Sequence, residues 1–186
     1  ALVRDDGPTD RTADIGEQYA RRDPRIRVMR LPHGGVSAAR NRGLELAESR
    51  YVAFMDCDDR VDPQYLAAFF RTPLPDGDLL VSQGVAIEYI AQNRTEVYDY
   101  PDTTGTQGEL GKIIVENRLL RDGWTYCKLF SLPLIRREAL RFDTGLSICE
   151  DLVFVLGYLS HVRQIILRSG TNYPYQVCPD GTSLSQ

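Results

Sequence analysis

The sequence has no strong excess of charge of either sign and no long apolar segment. Its 186 residues carry 22 Lys+Arg against 26 Asp+Glu, a formal net charge of -4. That balance excludes the global basic field that is typical of nucleic-acid-binding domains. No apolar run approaches the roughly 20 residues that a membrane-spanning helix needs, and no signal-peptide segment precedes the first acidic turn. We therefore expect a cytoplasmic protein without a nucleic-acid partner.

Cysteine is also scarce, and its copies are widely separated. The sequence contains no CxxC pair, which argues against a zinc site or a disulfide scaffold. We expect free thiols in a reducing compartment, at Cys57, Cys127, Cys149 and Cys178. The remaining composition, 42% hydrophobic and 26% charged, is ordinary for a globular domain. No linker or repeat divides the chain, so we predict a single domain over residues 1–186.

Short β-like runs alternate with helical patterns, which indicates an α/β sheet. The patterns predict strands at 2–3, 26–29, 51–55, 79–81, 85–87, 164–167 and 173–177. They predict helices at 10–22, through 38–46, after Pro63, and at 109–120, 133–140 and 151–159. The nearly unbroken apolar run 51–55 is typical of a strand buried in a parallel sheet. The polar, Gly/Thr-rich stretch 91–108 predicts a mobile loop.

An acidic turn follows the apolar strand 51–55. It reads Asp56-Cys57-Asp58-Asp59, and open α/β sheets bind ligands outside the carboxyl ends of their strands. Carboxylates two residues apart can place one side chain on Mg²⁺ or Mn²⁺ while the other contacts the ligand. An Asp-rich turn that caps the following helix explains the same residues, and the tetrapeptide alone leaves both interpretations open.

Two further segments have ligand-binding character. A second acidic turn spans Asp5 to Asp10, where carboxylates could bind ribose hydroxyls or cap a helix. The segment from Gly34 to Gly43 reads Gly-Gly-Val-Ser-Ala-Ala-Arg-Asn-Arg-Gly, and its small residues permit close approach of a ligand or backbone. Within it, Arg40 could neutralise a phosphate.

In order and spacing, these segments resemble the inverting family-2 (GT2) glycosyltransferases with the GT-A fold. Residues 5–10 match Asp-Asp-Gly-Ser-x-Asp with Pro8 at the serine position, and residues 34–43 match Gly-Gly-x-Ser-x-Ala-Arg-Asn-x-Gly. Residues 51–63 match an apolar strand followed by Asp-x-Asp-Asp and Asp-Pro. Later matches are the Trp124 to Phe130 segment, Phe142 with Glu150-Asp151, Tyr173-x-Tyr175 and the closing residues 181–185.

The resemblance implies an N-terminally truncated GT-A domain, a mixed and mostly parallel sheet flanked by helices. The family's first strand, Pro-x-Tyr-Asn, and the helix after it have no counterpart before the Asp-Asp-Gly strand. Residues 1–90 would form the nucleotide-sugar-binding half and residues 91–186 the acceptor and catalytic half. The donor would be a nucleotide-diphosphate sugar, with a UDP-sugar expected, and the acceptor a saccharide or lipid-linked saccharide of the cell envelope. Peripheral attachment to the inner membrane face and homo-oligomer formation are both compatible with the family.

The resemblance also assigns roles to individual side chains. Asp58 would ligate Mg²⁺ or Mn²⁺, while the donor would be held by Asp5, Asp6, Arg40, Asn41 and Asp56. Apart from the resemblance, Trp124 and Lys128 are candidates for binding the acceptor, since an aromatic face stacks on a sugar and a lysine can meet a phosphate; core packing of Trp124 and simple exposure of Lys128 explain them as well. Asp151 would act as general base with Glu150 beside it. Because adjacent helical positions point about 100° apart, one of this pair can face the site while the other is held elsewhere.

Two other functions compete with this one. A non-catalytic nucleotide-sugar-binding module would keep the acidic turns without turnover. A phosphatase resembling the haloacid dehalogenases would use Asp56 as nucleophile, since it also places Asp-x-Asp after a strand. That phosphatase expects Thr or Val where Asp59 stands and leaves residues 34–43 unexplained.

Overall fold

The computed structural model describes residues 2–5, 11–30, 34–56, 58–120 and 123–177, with the backbone alone at 2–5 and at Thr12. Its strands are β1 Leu2–Asp5, β2 Arg27–Arg30, β3 Tyr51–Ala53, β4 Leu79–Gln83, β5 Val85–Tyr89, β6 Arg94–Tyr98, β7 Thr103–Thr106, β8 Lys128–Ser131, β9 Gln164–Arg168 and β10 Pro174–Val177. Its helices are α1 Thr12–Arg22, α2 Gly35–Leu46, α3 Tyr65–Phe69, α4 Leu110–Glu116, α5 Leu132–Arg137 and α6 Glu150–Leu159.

The central sheet has the strand order β3-β8-β4-β9-β7, with β4 and β9 parallel and the other neighbours antiparallel. Strand β5 lies between β10, which is parallel to it, and β6, which is antiparallel. Strands β1 and β2 pair in parallel. The α/β class and the mixed sheet are confirmed, although antiparallel pairs slightly outnumber parallel ones among the described strands.

Alternate residues in the strands of the central sheet point to opposite sides. Apolar side chains pack against both of these faces, so both are buried. On one face, Leu80 and Phe130 pack with residues of α5 and α6, among them Phe154 and Tyr158. On the other face, Val81 and Leu129 pack in a second apolar cluster. Aromatic side chains complete that second cluster, namely Tyr65, Phe69, Tyr126 and Tyr173. Packed apolar side chains therefore cover the central sheet on both sides.

Two sequence-based expectations were wrong. Residues 91–108 are not one loop, because β6 pairs with β5 and β7 pairs with β9 inside that stretch. Strand β3 does not lie between parallel neighbours, since its partner among the described strands is the antiparallel β8. The other predicted helices and strands are confirmed to within a few residues, although α3 and α4 are shorter than expected.

Two composition-based expectations can also be compared with the structure. Cys127 and Cys149 are free, as predicted, while Cys57 and Cys178 lie outside the described residues. Within the described ranges, no helix has the length and apolar character needed to cross a bilayer. The cytoplasmic location stays a prediction.

Candidate functional site

A single arginine brings together the acidic turn after β3 and the first turn of α6. The Arg40 guanidinium donates to Asp56 Oδ1 at 2.8 Å through Nη2. Its Nη1 donates to Glu150 Oε1 at 3.0 Å and to Asp151 Oδ1. The Arg40 side chain is only 10% exposed. Arg40, Asp56, Glu150 and Asp151 therefore form one largely buried ionic cluster. The cluster joins residues that lie about 110 positions apart in the sequence.

Three elements position this cluster. Arg40 lies midway along α2, Asp56 lies three residues after the end of β3, and the carboxylate pair opens α6. Asp and Glu are stabilised in a first helical turn because the helix dipole is positive there. Cys149 precedes α6 in a left-handed conformation with φ 64°, which sets the direction from which α6 begins.

Both carboxylates of the α6 pair face the cluster. The helical spacing would allow one of them to be held elsewhere, but both bind Nη1 of Arg40. Asp151 has a further contact that Glu150 lacks in the structure, since the Thr125 hydroxyl donates to its Oδ2 at 3.5 Å. Burial raises the pKa of the Asp151 carboxyl to about 6; the charges of Glu150 and Asp56 add to the increase, and the Arg40 charge opposes it. A carboxylate with that pKa is suited to accept a proton near neutral pH.

Asn41 is fully engaged with the backbone of Phe142. Its Nδ2 donates to the Phe142 carbonyl and its Oδ1 accepts from the Phe142 N–H, each at 2.8 Å. This two-point contact ties α2 to the segment that leads into α6. The contacts support a positioning role for Asn41, and its predicted contact with the donor stays a prediction.

The acidic turn holds its carboxylates in three different surroundings. Asp56 binds Arg40, and Asp59 accepts a hydrogen bond from the Tyr173 hydroxyl. Burial raises the pKa of Asp59 to about 6, against the lowering effect of the Tyr173 hydrogen bond and with the charges of Asp56 and Asp58 adding to the increase. Asp58 is exposed and has no hydrogen-bond or ion-pair partner among the described residues. It is thus the carboxylate of the turn that is available to a ligand.

The acidic turn can supply an oxygen ligand for a divalent cation that is shared with a substrate. Across the part of the chain that the structure describes, no group of three or more His, Cys, Asp or Glu is arranged to hold a metal ion. Mg²⁺ in phosphate-binding sites commonly uses only one or two protein carboxylates, with waters and phosphate oxygens completing its shell. A single exposed carboxylate at Asp58 is compatible with that kind of site. His161, which as a histidine could also bind a metal, follows the C-terminal end of α6, while Glu150 and Asp151 lie at its N-terminal end. The Nδ1 atom of His161 lies 3.5 Å from Glu138 Oε2.

The predicted acceptor residues lie on the segment that enters β8. Trp124 stacks on Tyr126 with ring centroids 5.0 Å apart and keeps part of its surface exposed. Lys128 is buried, and its Nζ donates to the Trp124 carbonyl at 2.5 Å. A cleft of about 240 Å³ is lined by Trp124 and Lys128 together with Asp99 and Asn117. The contacts of Lys128 thus hold the Trp124 backbone.

Two predicted donor-binding residues cannot be placed. Asp6 lies outside the described residues, and only the backbone of Asp5, at the end of β1, is described. Gly35 does have the conformation that its residue type allows, with φ +75°, but a Cβ there would meet no atom within 4 Å. At that position glycine is needed for the backbone angle and not for close approach of a described segment.

Sequence reasoning did not identify Tyr173, Asp59 or Thr125 as parts of the site. The Tyr-x-Tyr motif at 173–175 was noticeable, but nothing in the pattern paired it with the acidic turn 114 positions earlier. Thr125 lies beside the single tryptophan and carries no pattern of its own. Only the fold brings these side chains to the same place.

Comparison with known proteins identifies the family. The sequence profile described as Glycosyl transferase family 2 matches residues 1–141. The minor teichoic acid biosynthesis protein GgaB of Bacillus subtilis (strain 168) is 32% identical over 193 residues, which covers 100% of this chain and 20% of GgaB. The uncharacterized glycosyltransferase EpsJ of the same organism is 30% identical, covering 96% of this chain and 53% of EpsJ.

A solved structure shares the fold. The crystal structure of S. aureus TarS 1-349 in complex with UDP-GlcNAc superposes with a TM-score of 0.74 at 22% identity, covering 98% of this chain and 50% of TarS 1-349. The chain spans about half the length of the curated relatives EpsH and EpsJ, 52% and 53% respectively. These matches favour neither a phosphatase resembling the haloacid dehalogenases nor a non-catalytic nucleotide-sugar-binding module. The chain belongs to glycosyl transferase family 2 and has the GT-A fold.

Proposed function

We propose that this protein is a metal-dependent, inverting glycosyltransferase that moves a sugar from a nucleotide-diphosphate donor to an acceptor hydroxyl. The observation that carries the proposal is the cluster in which Arg40 links Asp56 of the acidic turn to Asp151 of α6. In this cluster Asp56, which we propose as a donor-binding residue, and Asp151, which we propose as the proton acceptor, bind the two terminal nitrogens of one guanidinium. Family membership and the relative named for teichoic acid biosynthesis support a cell-envelope saccharide as acceptor.

The reaction is a single displacement at the anomeric carbon. The acceptor oxygen forms a bond to that carbon while the bond to the donor phosphate breaks, and the acceptor proton passes to Asp151. Attack on the face opposite the leaving group inverts the configuration. Arg40 orients the Asp151 carboxylate through Oδ1 and Thr125 contacts Oδ2, so the base is held from both oxygens.

The donor would lie across the acidic turn. Asp56 would contact the ribose, and Asp58 would hold Mg²⁺ or Mn²⁺ against the diphosphate. The cation would neutralise charge on the departing nucleoside diphosphate. A UDP-sugar is the donor we propose, since the TarS structure with the same fold was solved with UDP-GlcNAc.

The acceptor would contact the exposed part of Trp124. An aromatic face packs well against the apolar face of a sugar ring. Thr125, the next residue in the chain, contacts the proposed base Asp151. Lys128 would act indirectly, by fixing the Trp124 carbonyl.

The function is tested by release of nucleoside diphosphate from a panel of nucleotide sugars, with saccharide acceptors and Mn²⁺ present. We expect release with one donor and a product of inverted anomeric configuration by NMR. Binding of UDP without release from any donor would favour the non-catalytic module. Retained configuration would exclude the single displacement.

Replacing the exposed carboxylate of the acidic turn should abolish metal-dependent donor binding. At UDP concentrations near 100 times Kd with Mn²⁺, the wild type should gain about 2.7 kcal/mol of stability, measured from thermal melts. Asp58→Asn should gain less than about 1 kcal/mol under the same conditions, because the neutral amide lacks the negative charge that a carboxylate contributes to binding Mg²⁺ or Mn²⁺.

The melting temperature of Asp58→Asn without ligand should match that of the wild type, since the side chain is exposed. Asp76→Asn is the matched control, because Asp76 is an exposed aspartate bound to Arg50. If UDP with Mn²⁺ stabilised Asp58→Asn as much as the wild type, Asp58 would not be a metal ligand. A large loss of intrinsic stability would make the turn structural.

Turnover should depend on the ionisation of Asp151. Burial raises its pKa to about 6, and a general base is active only when deprotonated. The logarithm of kcat/KM should therefore rise with pH, with a slope near one below about pH 6, and level off near pH 7. Circular dichroism over the same range controls for acid unfolding. A flat profile between pH 5 and 8 would contradict this assignment.

A further inference from the structure

The Tyr173 side chain lies directly behind the acidic turn. Its hydroxyl donates a hydrogen bond to Asp59 Oδ2. The same hydroxyl oxygen accepts a hydrogen bond from the backbone N–H of Asp56 at 3.5 Å. The Tyr173 residue is fully buried. One hydroxyl group therefore contacts both ends of the turn, on either side of Asp58.

The tyrosine ring is fixed by its own neighbours. It stacks on Tyr126 with centroids 4.7 Å apart and an angle of 9°, and it meets Tyr65 edge-on at 5.5 Å. Its carbonyl accepts from the Ala86 N–H at 3.2 Å, at the start of the pairing between β10 and β5. With the ring and backbone held in this way, the hydroxyl has little freedom to move.

The residue before Tyr173 anchors the same region. The Asn172 carbonyl accepts from the Asp62 N–H at 2.9 Å, and its side chain donates to Gln83 Oε1 at 2.9 Å. The segment 172–173 therefore contacts the chain at Asp56, Asp59 and Asp62. Asp58 lies inside that span and has no partner of its own among the described residues.

We propose that the Tyr173 hydroxyl is a positioning residue, which holds the acidic turn through Asp59 and thereby sets where the Asp58 carboxylate is presented to the donor. The proposal rests on the proposed function for the identity of the ligand, a nucleoside diphosphate with a divalent cation. Tyr173 itself does not touch the donor.

The hydroxyl can be removed without removing the ring. Tyr173→Phe keeps the stack on Tyr126 but leaves Asp59 without its donor. In Tyr173→Phe we expect the Kd of UDP with Mn²⁺, measured by calorimetry, to rise about tenfold. Tyr126→Phe is the matched control, because the Tyr126 hydroxyl is buried and has no hydrogen-bond partner among the described residues. Its Kd should equal that of the wild type.

A double-mutant cycle tests the route through Asp59. Asp59→Ala should weaken UDP binding as much as Tyr173→Phe does, and the double variant should lie within about twofold of either single variant. Asp59→Asn should restore most of the affinity, because its amide oxygen still accepts from the tyrosine. Additive losses in the double variant would overturn the proposal.

Hydrogen exchange separates this proposal from the proposed function. Peptides that cover 58–62 should exchange faster in Tyr173→Phe than in the wild type and in Tyr126→Phe. Failure of the wild type to bind UDP would contradict the proposed function, while the exchange data would still decide the role of Tyr173. Unchanged exchange in Tyr173→Phe would overturn that role.

Discussion

Asp151→Asn should bind UDP as the wild type does and turn over at least about 10³-fold more slowly. Asparagine has the shape of aspartate, and its amide oxygen can accept from Arg40 as the Asp151 carboxylate does. It cannot take a proton from the acceptor hydroxyl. The loss should therefore appear in kcat, measured by release of nucleoside diphosphate, with little change in the Kd of UDP.

Glu150→Gln is the informative comparison for this variant. Glu150 precedes Asp151 and binds the same nitrogen of Arg40, but the structure gives it no contact with Thr125. We expect a loss of about tenfold or less in kcat, since removing the Glu150 charge changes the contact with Arg40 and lowers the pKa of Asp151 but leaves the proton acceptor for the acceptor hydroxyl in place. If Glu150→Gln were the inactive variant and Asp151→Asn retained turnover, the base would be Glu150. If both retained turnover, α6 would supply no base.

The fold stays close to the prediction where apolar periodicity is strong. Helix α6 and strands β4 and β9 have buried faces, and their apolar residues were visible in the sequence. Strands β6 and β7 were not predicted because most of their residues are polar and exposed. Backbone pairing with β5 and β9 stabilises them, and that pairing leaves no pattern in a single sequence.

Gly105 shows how a correct observation led to a wrong inference. The glycines of the stretch 91–108 predict a loop. In the structure Gly105 lies in β7 beneath α4, where a Cβ would come within 2.0 Å of Ile113 Cδ1. The glycine therefore permits close packing of a helix on a strand.

The candidate site was predicted in its parts but not in its connections. The motifs identified Arg40, Asp56 and Asp151 separately, with Arg40 as a donor-binding residue. In the structure its described polar contacts are the carboxylates at 56, 150 and 151. Contacts between residues this far apart depend on how α2 and α6 pack, and no local pattern encodes them.

Removing Arg40 should destabilise the protein more at high pH than at low pH. Arg40→Ala leaves the carboxylates at 56, 150 and 151 partly buried without their shared cation. Breaking a buried ion pair costs about 3–5 kcal/mol, and Asp56 is 35% exposed. We therefore expect the free energy of unfolding to fall by about 2–4 kcal/mol at pH 8, measured by urea denaturation.

The direction of the pH dependence follows from the Asp151 carboxyl. Its pKa in the folded protein is raised by burial, and the Arg40 charge opposes that increase. Without Arg40 the pKa rises further above its unfolded value, so the folded state binds more protons than the unfolded state. Stability then falls as pH rises. The deficit of Arg40→Ala should shrink toward about 1 kcal/mol at pH 5, where protonation relieves the carboxylates.

Arg42→Ala is the matched control on the same helix. Arg42 is exposed and binds Glu45 at 2.7 Å, so its removal should change stability by less than about 0.5 kcal/mol at either pH. The Arg40 guanidinium also lies 5.3 Å from the centroid of the Phe142 ring, and loss of that packing is independent of pH. An equal deficit at pH 5 and pH 8 would mean that Arg40 stabilises the fold mainly through this packing. It would also mean that the ion pairs of Arg40 do not stabilise the connection between the acidic turn and the proposed base, Asp151.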